Sequence, residues 1–319
     1  MGYPLLRIGT RGSPMALAQT HRVRRALSIA NPDLQEADAI EIVVIQTTAD
    51  RVQDRRLAEI GGKGLFTKEI EEALIAGSID MAVHSMKDVP TWLPEGLEIA
   101  CVLERDDPRD ALISTRAQSF AELPSGAVVG TASLRRQAQI LHRWPGLRVV
   151  PFRGNANTRL RKLADGVVDA TLLALSGLER IGRTDAIAMV LAVEEMLPAV
   201  AQGALGVETR RADERAQAWL EPLNHHPTNV CISAERSLLA ALDGSCRTPI
   251  AGLAMLPTSD ALHLQGLIAN PDGSAIHEGR RCGLPSDAIA MGKDLGQELR
   301  KRAGQGLFEG EVGYPRKNE

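Results

Sequence analysis

Lys87 and Asp88 stand side by side in Val83-His84-Ser85-Met86-Lys87-Asp88-Val89-Pro90. A cation at such a point can hold an anionic substrate. A carboxylate beside it can move a proton or steady positive charge as it develops. The preceding run, Ile79-Asp80-Met81-Ala82-Val83, reads as a short buried strand, apolar except for Asp80. Pro90 stops the segment from continuing as regular strand or helix. In open α/β sheets, ligands meet the protein at strand ends. Lys87 and Asp88 are therefore expected at the mouth of a cleft. A solvated turn with an incidental ion pair has the same local signature, so the rest of the chain must decide.

Arginines recur at later turns. Arg135 and Arg136 follow Gly130-Thr131-Ala132-Ser133. Arg153 and Arg159 flank Gly154-Asn155-Ala156-Asn157-Thr158, and Arg180 follows Gly177-Leu178-Glu179. A guanidinium suits planar, two-point binding of carboxylates. Any one of these could be a solvated surface arginine, but the set at loop starts points to a ligand with several carboxylates. Cys246 lies among Gly244, Ser245, Thr248 and Pro249, where a thiol can be presented, and Arg247 would favour its thiolate. Cys101 is expected in the core, Cys231 before a helix, and Cys282 beside Arg280 and Arg281 without further context. Adjacent His225 and His226 point apart on an extended chain and lack a third ligand nearby, so no metal site is expected. Gly61-Gly62-Lys63-Gly64-Leu65-Phe66 only superficially resembles a phosphate loop, because Gly64 stands where Ser or Thr is required.

These residues need elements to position them. Leu5–Ile8 reads as a strand, Gly9-Thr10-Arg11-Gly12-Ser13-Pro14 as a turn, and Met15–Ile29 as a helix capped by Ser13. That helix start, with Arg11 beside it, offers an anion seat. Ala39–Thr47 is expected as a strand, and Thr67–Ala76 as a helix capped by Thr67 and ended by Gly77. Val128–Arg136 then echoes Arg7–Ser13, and Gly166–Leu172 echoes Gly77–Val83. The echo predicts two similar α/β lobes, each aiming a Gly-Thr-Ser helix start at a shared cleft. Glu104–Asp110 is charged and broken by Pro108, a linker between lobes; Leu197–Ala204 leads back. From about residue 224 the pattern changes, with a helix over Ser233–Leu242 and alternating runs such as Ala261–Ile268, a small α+β domain.

The chain's 319 residues suggest two or three domains. A net charge of −3 argues against a general nucleic-acid or membrane binder, and 3% aromatics against base-stacking platforms. No apolar run is long enough for a transmembrane helix, the start lacks an export signal, and the cysteines are widely spaced. A cytoplasmic location without disulfides is expected.

Taken in order, Gly61–Phe66, Val83–Pro90, Gly130–Arg136, Arg153-Gly154-Asn155 and Gly244-Ser245-Cys246 resemble the porphobilinogen deaminase family over nearly the whole chain. The resemblance implies a monomeric enzyme that joins four porphobilinogen molecules head to tail, releasing ammonia at each step and then hydroxymethylbilane by hydrolysis. It implies a dipyrromethane primer held by thioether on Cys246, and Asp88 as the catalytic residue. It assigns Lys87, Ser85, Thr131, Ser133, Arg135 and Arg136 to the cofactor. It assigns Arg11, Ser13, Lys63, Phe66, Arg153, Arg159, Arg180 and Gln202 to the substrate. The implied fold is α/β: two periplasmic-binding-protein-like lobes with mixed five-stranded sheets flanked by helices, plus a small C-terminal α+β domain. Expected boundaries are 1–103 with 203–221, 109–197, and 224–319. Ser245 and Arg247 depart from many members, and Glu59 stands where some members are basic, which weakens any claim for a cation there. A non-catalytic two-lobed anion-binding protein would explain the lobes and arginines, but not a presented cysteine. A cysteine-nucleophile hydrolase lacks a His near Cys246 in sequence.

Overall fold

A computed structural model describes residues 4–48, 67–242 and 248–304. The chain divides into two compact units: Met1–Asp106 with Gly203–Asn229, and Asp107–Gln202 with Val230–Glu319.

The first unit is built on a five-stranded sheet. Its strands are β1 (Leu6–Arg11), β2 (Ile40–Ile45), β3 (Met81–Ser85), β4 (Leu97–Val102) and β10 (Leu205–Arg210), in the order β2-β1-β3-β10-β4. β1 runs parallel to β2 and β3, while β10 is antiparallel to β3 and β4. β2, Ile-Glu-Ile-Val-Val-Ile, is β-branched throughout except Glu41, as a pleated strand favours. Helix α1 (Pro14–Ala30) starts as expected: the Ser13 hydroxyl accepts the Ala16 N–H at 3.2 Å, and Pro14 occupies the first turn.

Three local expectations change. β1 continues to Arg11, because Gly9, Thr10 and Arg11 pair with Val43, Val44 and Ile45. Gly9 is needed there, since the Ile79 side chain fills the space a Cβ would take. β3 starts at Met81 rather than Ile79, because Asp80 is used as a clamp: its carboxylate accepts the Arg7 N–H at 2.8 Å and the Arg7 guanidinium at 2.8 Å. In α2 (Lys68–Ile75), the Thr67 carbonyl accepts the Ile70 and Glu71 N–H groups, but its hydroxyl makes no cap hydrogen bond.

The second unit repeats the wiring. Its strands β5 (Asp110–Ser114), β6 (Val128–Gly130), β7 (Arg148–Val150), β8 (Ala170–Ala174) and β9 (Met189–Val190) lie in the order β7-β6-β8-β5-β9. β6 is parallel to β7 and β8, and β5 antiparallel to β8 and β9. The correspondence extends to side chains. Ser133 caps α3 (Leu134–Arg143) as Ser13 caps α1. Phe152 fills the space beside Gly130 as Ile79 does beside Gly9. Asp169 accepts the Val128 N–H at 2.8 Å, as Asp80 accepts that of Arg7. The two sequence echoes therefore mark equivalent strands of two sheets.

The second unit also holds an antiparallel sheet of β11 (Ile250–Thr258), β12 (Ala261–Ala269) and β13 (Ile276–Gly283). Helices α7 (His226–Ala241) and α8 (Ala288–Ala303) enclose a core with Leu238, Leu262, Leu264, Leu295 and Leu299. Its opposite face places Ala251, Leu253, Leu267 and Ala269 against Ala138 of α3 and Leu197. α7 begins seven residues before the expected Ser233, so Cys231 is buried inside the helix rather than preceding it. Among the described residues, no helix is long and apolar enough to cross a membrane.

Candidate active site

In the first unit, the end of β3 carries Lys87 and Asp88 on a single 3₁₀ turn, Met86–Asp88. The turn is anchored from below. The Met86 N–H donates to the Ala204 carbonyl at 3.0 Å, and the Met86 side chain is buried. Gly206 of β10 leaves room for the Met86 thioether where a Cβ would collide. Lys87 and Asp88 themselves are exposed. The Asp88 carboxylate makes no hydrogen bond or ion pair among the described residues, so it is available to a ligand.

Behind the turn lies a pair that sequence reasoning missed. His84 Nε2 and Glu208 Oε2 are 2.8 Å apart, both buried, joining β3 to β10. Burial also pushes the carboxyl of nearby Glu71 upward. Ser85 is half-buried and accepts a hydrogen bond from Gln19 Nε2 at 2.7 Å. Arg11 is half-buried at the end of β1, and the Ser13 hydroxyl beside it serves the helix cap.

In the second unit, the arginines fall into two sets. Arg135 and Arg136 are not surface forks but buried side chains on α3, closing on Asp110. Arg135 Nη2 lies 2.8 Å from Asp110 Oδ2, and Arg136 Nη2 donates to Oδ1 at 2.7 Å. Their Nη1 atoms donate to the Leu197 and Leu172 carbonyls respectively, both at 2.8 Å. Gln202 Nε2 donates to Asp110 Oδ1 at 2.8 Å and to the Pro108 carbonyl at 2.7 Å. Asp110 is thus no linker residue; it heads β5 and is fully buried. Burial alone would raise its pKa. The charges of Arg135 and Arg136, with hydrogen bonds from Arg136 and Gln202, outweigh burial and hold it well below the usual carboxylate range. Its sequence signal was the apolar run Ala-Leu-Ile that follows: an acid heading a buried strand needs a partner.

Thr131 is buried, and its hydroxyl accepts the Ser133 N–H at 3.1 Å, fixing the turn that starts α3.

The second set sits at the start of α4 (Ala156–Ala164). Gly154 adopts φ 124°, and a Cβ there would lie 2.7 Å from Thr158 Cγ2, so only glycine fits. Asn155 caps the helix by accepting the Thr158 N–H at 2.9 Å. Arg159 Nε donates to the Gly154 carbonyl at 2.8 Å. Burial, then the positive charges of Arg136 and Arg153, push the Arg159 guanidinium down to about 10. Arg153 Nη1, Arg135 Nε and Arg136 Nε are buried donors with no partner among the described residues. This cluster therefore carries more positive charge and more donors than its protein neighbours satisfy. Arg180 is half-buried at the end of α5 (Leu175–Arg180).

Lys63, Phe66 and Cys246 lie outside the described residues, as do Glu59, Ser245 and Arg247. Cys101 is buried in β4, where burial pushes its thiol up to about 12. His226 opens α7, and His225 Nδ1 lies 2.8 Å from the Thr228 hydroxyl.

The family model described as porphobilinogen deaminase, dipyromethane cofactor binding domain, matches residues 6–218. That described as porphobilinogen deaminase, C-terminal domain, matches residues 229–301. The chain is 55% identical over 308 residues to a chloroplastic porphobilinogen deaminase of Oryza sativa subsp. japonica, covering 96% of this chain and 86% of that one. It is 54% identical over 304 residues to the porphobilinogen deaminase of Paracoccus denitrificans, covering 95% and 96%. A periplasmic substrate-binding protein of an ABC transporter from Coxiella burnetii overlays with a TM-score of 0.43 at 15% identity, over 72% of this chain and 96% of that one. That likeness is too low to carry an argument; the paired sheet orders describe the fold without it. Both family descriptions and the identity along the chain agree with the motifs around Asp88, Arg135 and Arg153: this chain belongs to the porphobilinogen deaminase family.

Proposed function

We propose that this enzyme polymerises porphobilinogen head to tail with loss of ammonia, releases hydroxymethylbilane, and so feeds heme synthesis, with Asp88 as its catalytic carboxylate. The observation that carries the residue assignment is the exposed, unpartnered Asp88 on an anchored turn. Porphobilinogen has an aminomethyl group on a pyrrole, and losing ammonia leaves positive charge on that ring. A carboxylate near the ring nitrogen stabilises that charge and can take up a proton when the new ring regains aromaticity. Lys87, beside it, supplies a cation for a carboxylate of the dipyrromethane.

The residues fit a dipyrromethane with its several carboxylates. The observation is the surplus of buried guanidinium donors on Arg135, Arg136 and Arg153. On this reading Arg135, Arg136, Lys87, Ser85, Thr131 and Ser133 hold that group, and Cys246 forms its thioether. When bound, it supplies the pyrrole carbon at which polymerisation begins. Arg11, Ser13, Lys63, Phe66, Arg153, Arg159, Arg180 and Gln202 bind substrate carboxylates or rings. The buried Asp110 keeps Arg135 and Arg136 oriented rather than neutralising the whole cluster, because one carboxylate faces several guanidiniums. The same reading divides the chain into 1–103 with 203–221, 109–197 and 224–319. It makes the protein a cytoplasmic monomer without nucleic-acid or membrane partners; the net charge of −3 supports the last point alone.

The direct test is to follow porphobilinogen consumption and ammonia release together. One ammonia per porphobilinogen, with a linear tetrapyrrole product, is expected; tight binding without ammonia favours the anion-binding alternative. Arg153→Leu and Arg159→Leu refine the assignment. A hydrogen bond to a charged group is worth about 1.5–3 kcal/mol. Each change is expected to raise KM by about tenfold or more while the urea midpoint stays near the parent's. A large fall in the midpoint with unchanged KM would make these arginines structural.

A further inference from the structure

We propose that the exposed end of the C-terminal sheet binds one soft monovalent metal ion, of the Cu(I) class, on Met255, His263 and Cys282. The three residues come from three adjacent strands in direct register. Met255 of β11 pairs with His263 of β12, and His263 pairs with Cys282 of β13. Directly opposed residues share a face, with Cβ atoms about 4.5–5.5 Å apart. The imidazole therefore stands between a thioether and a thiol.

Burial fixes which face this is. His263 is exposed, while its neighbours Leu262 and Leu264 are fully buried. Met255 is 44% exposed, while Ala254 is buried. Cys282 is exposed and free. Its neighbours face the opposite way: Arg281 pairs with Asp294 and Glu298 of α8, and a Cβ on Gly283 would meet the Met291 thioether of α8. The side chains of Met255, His263 and Cys282 make no hydrogen bond or ion pair among the described residues. Three donor side chains thus leave one face in a row, with no protein group using them.

The donor set selects the ion. Thioether and thiolate favour Cu(I) and similar soft ions, and imidazole accepts them too. The row contains no carboxylate, and the next row on that face is Leu253, Gln265 and Arg280. Magnesium and calcium, which need oxygen ligands, are poorly served. Zinc favours a fourth ligand. One thiolate balances one monovalent charge: the thiol loses its proton to solvent as the sulfur–metal bond forms, with no change of oxidation state.

The test is an anaerobic titration of the holoenzyme with Cu(I) in competition with a chromogenic chelator. The parent is expected to take one equivalent that Cys282→Ser does not bind. His263→Ala and Met255→Leu should each weaken binding by at least the about 10–100-fold typical of losing even an outer-shell partner. All three variants should keep porphobilinogen turnover, which shows them folded. Parent-like affinity in both His263→Ala and Met255→Leu would reduce the site to a lone thiol and overturn the proposal. So would a parent that takes up no tightly held Cu(I), or one whose equivalent survives Cys282→Ser.

Discussion

Asp88→Asn is expected to lower turnover by about 10²–10³-fold, the usual cost of removing one electrostatic stabiliser aimed at developing charge. The amide keeps the shape of the carboxylate but carries no charge and cannot take up a proton. The turn itself should survive, because its anchors are the Met86 N–H, the buried Met86 side chain and the room left by Gly206, none of which involves Asp88. Stability should therefore match the parent within the ±0.5 kcal/mol or so typical of surface changes. Single-turnover kinetics with porphobilinogen and a urea titration separate the two readouts. Turnover close to the parent's would move the catalytic role to another residue; a lost midpoint would make Asp88 a structural residue.

Asp110→Asn should act in the opposite way, through stability first. It removes the one carboxylate that, among the described residues, holds Arg135 and Arg136 in their buried positions, and so takes away the counter-charge that those residues supply to two guanidiniums. Breaking a buried ion pair by removing one partner costs about 3–5 kcal/mol. The pH dependence has a defined sign. The folded Asp110 carboxyl is held below its ordinary value, so its contribution is complete above the unfolded pKa of about 3.9 and is lost as pH falls toward the folded one. The stability gap between parent and Asp110→Asn should therefore be widest near neutrality and narrow below about pH 4. Urea midpoints across that range test it. A gap that stays constant through the acid range would mean that the charge of Asp110 is not what the variant loses.

Much of the fold could be read from the chain because its two halves repeat. Asp80 and Asp169, Ser13 and Ser133, and Gly9 and Gly130 each occupy matched places in two sheets of the same wiring. Apolar alternation and caps reveal such elements locally. What could not be read was the long-range pairing. Asp110 looked like part of a charged linker because nothing nearby shows that Arg135, Arg136 and Gln202 return to it. His84 and Glu208 are 124 positions apart, so no local pattern joins them. Nor could the chain show that one face of the C-terminal sheet meets Ala138 and Leu197, which lie far from it in sequence. In the site, the type and order of the arginines were legible, but which of their nitrogens Asp110 engages and which are left as surplus donors was not.

The central claim is that Cys246 carries a covalent pyrrole pair on which turnover depends. Intact mass of the acid-denatured protein tests it most directly, because denaturation removes anything held only by the guanidinium cluster. The account predicts a mass excess equal to one dipyrromethane on the parent, retained in Asp88→Asn and absent from an inactive Cys246→Ser. An unmodified polypeptide from fully active parent enzyme would contradict it.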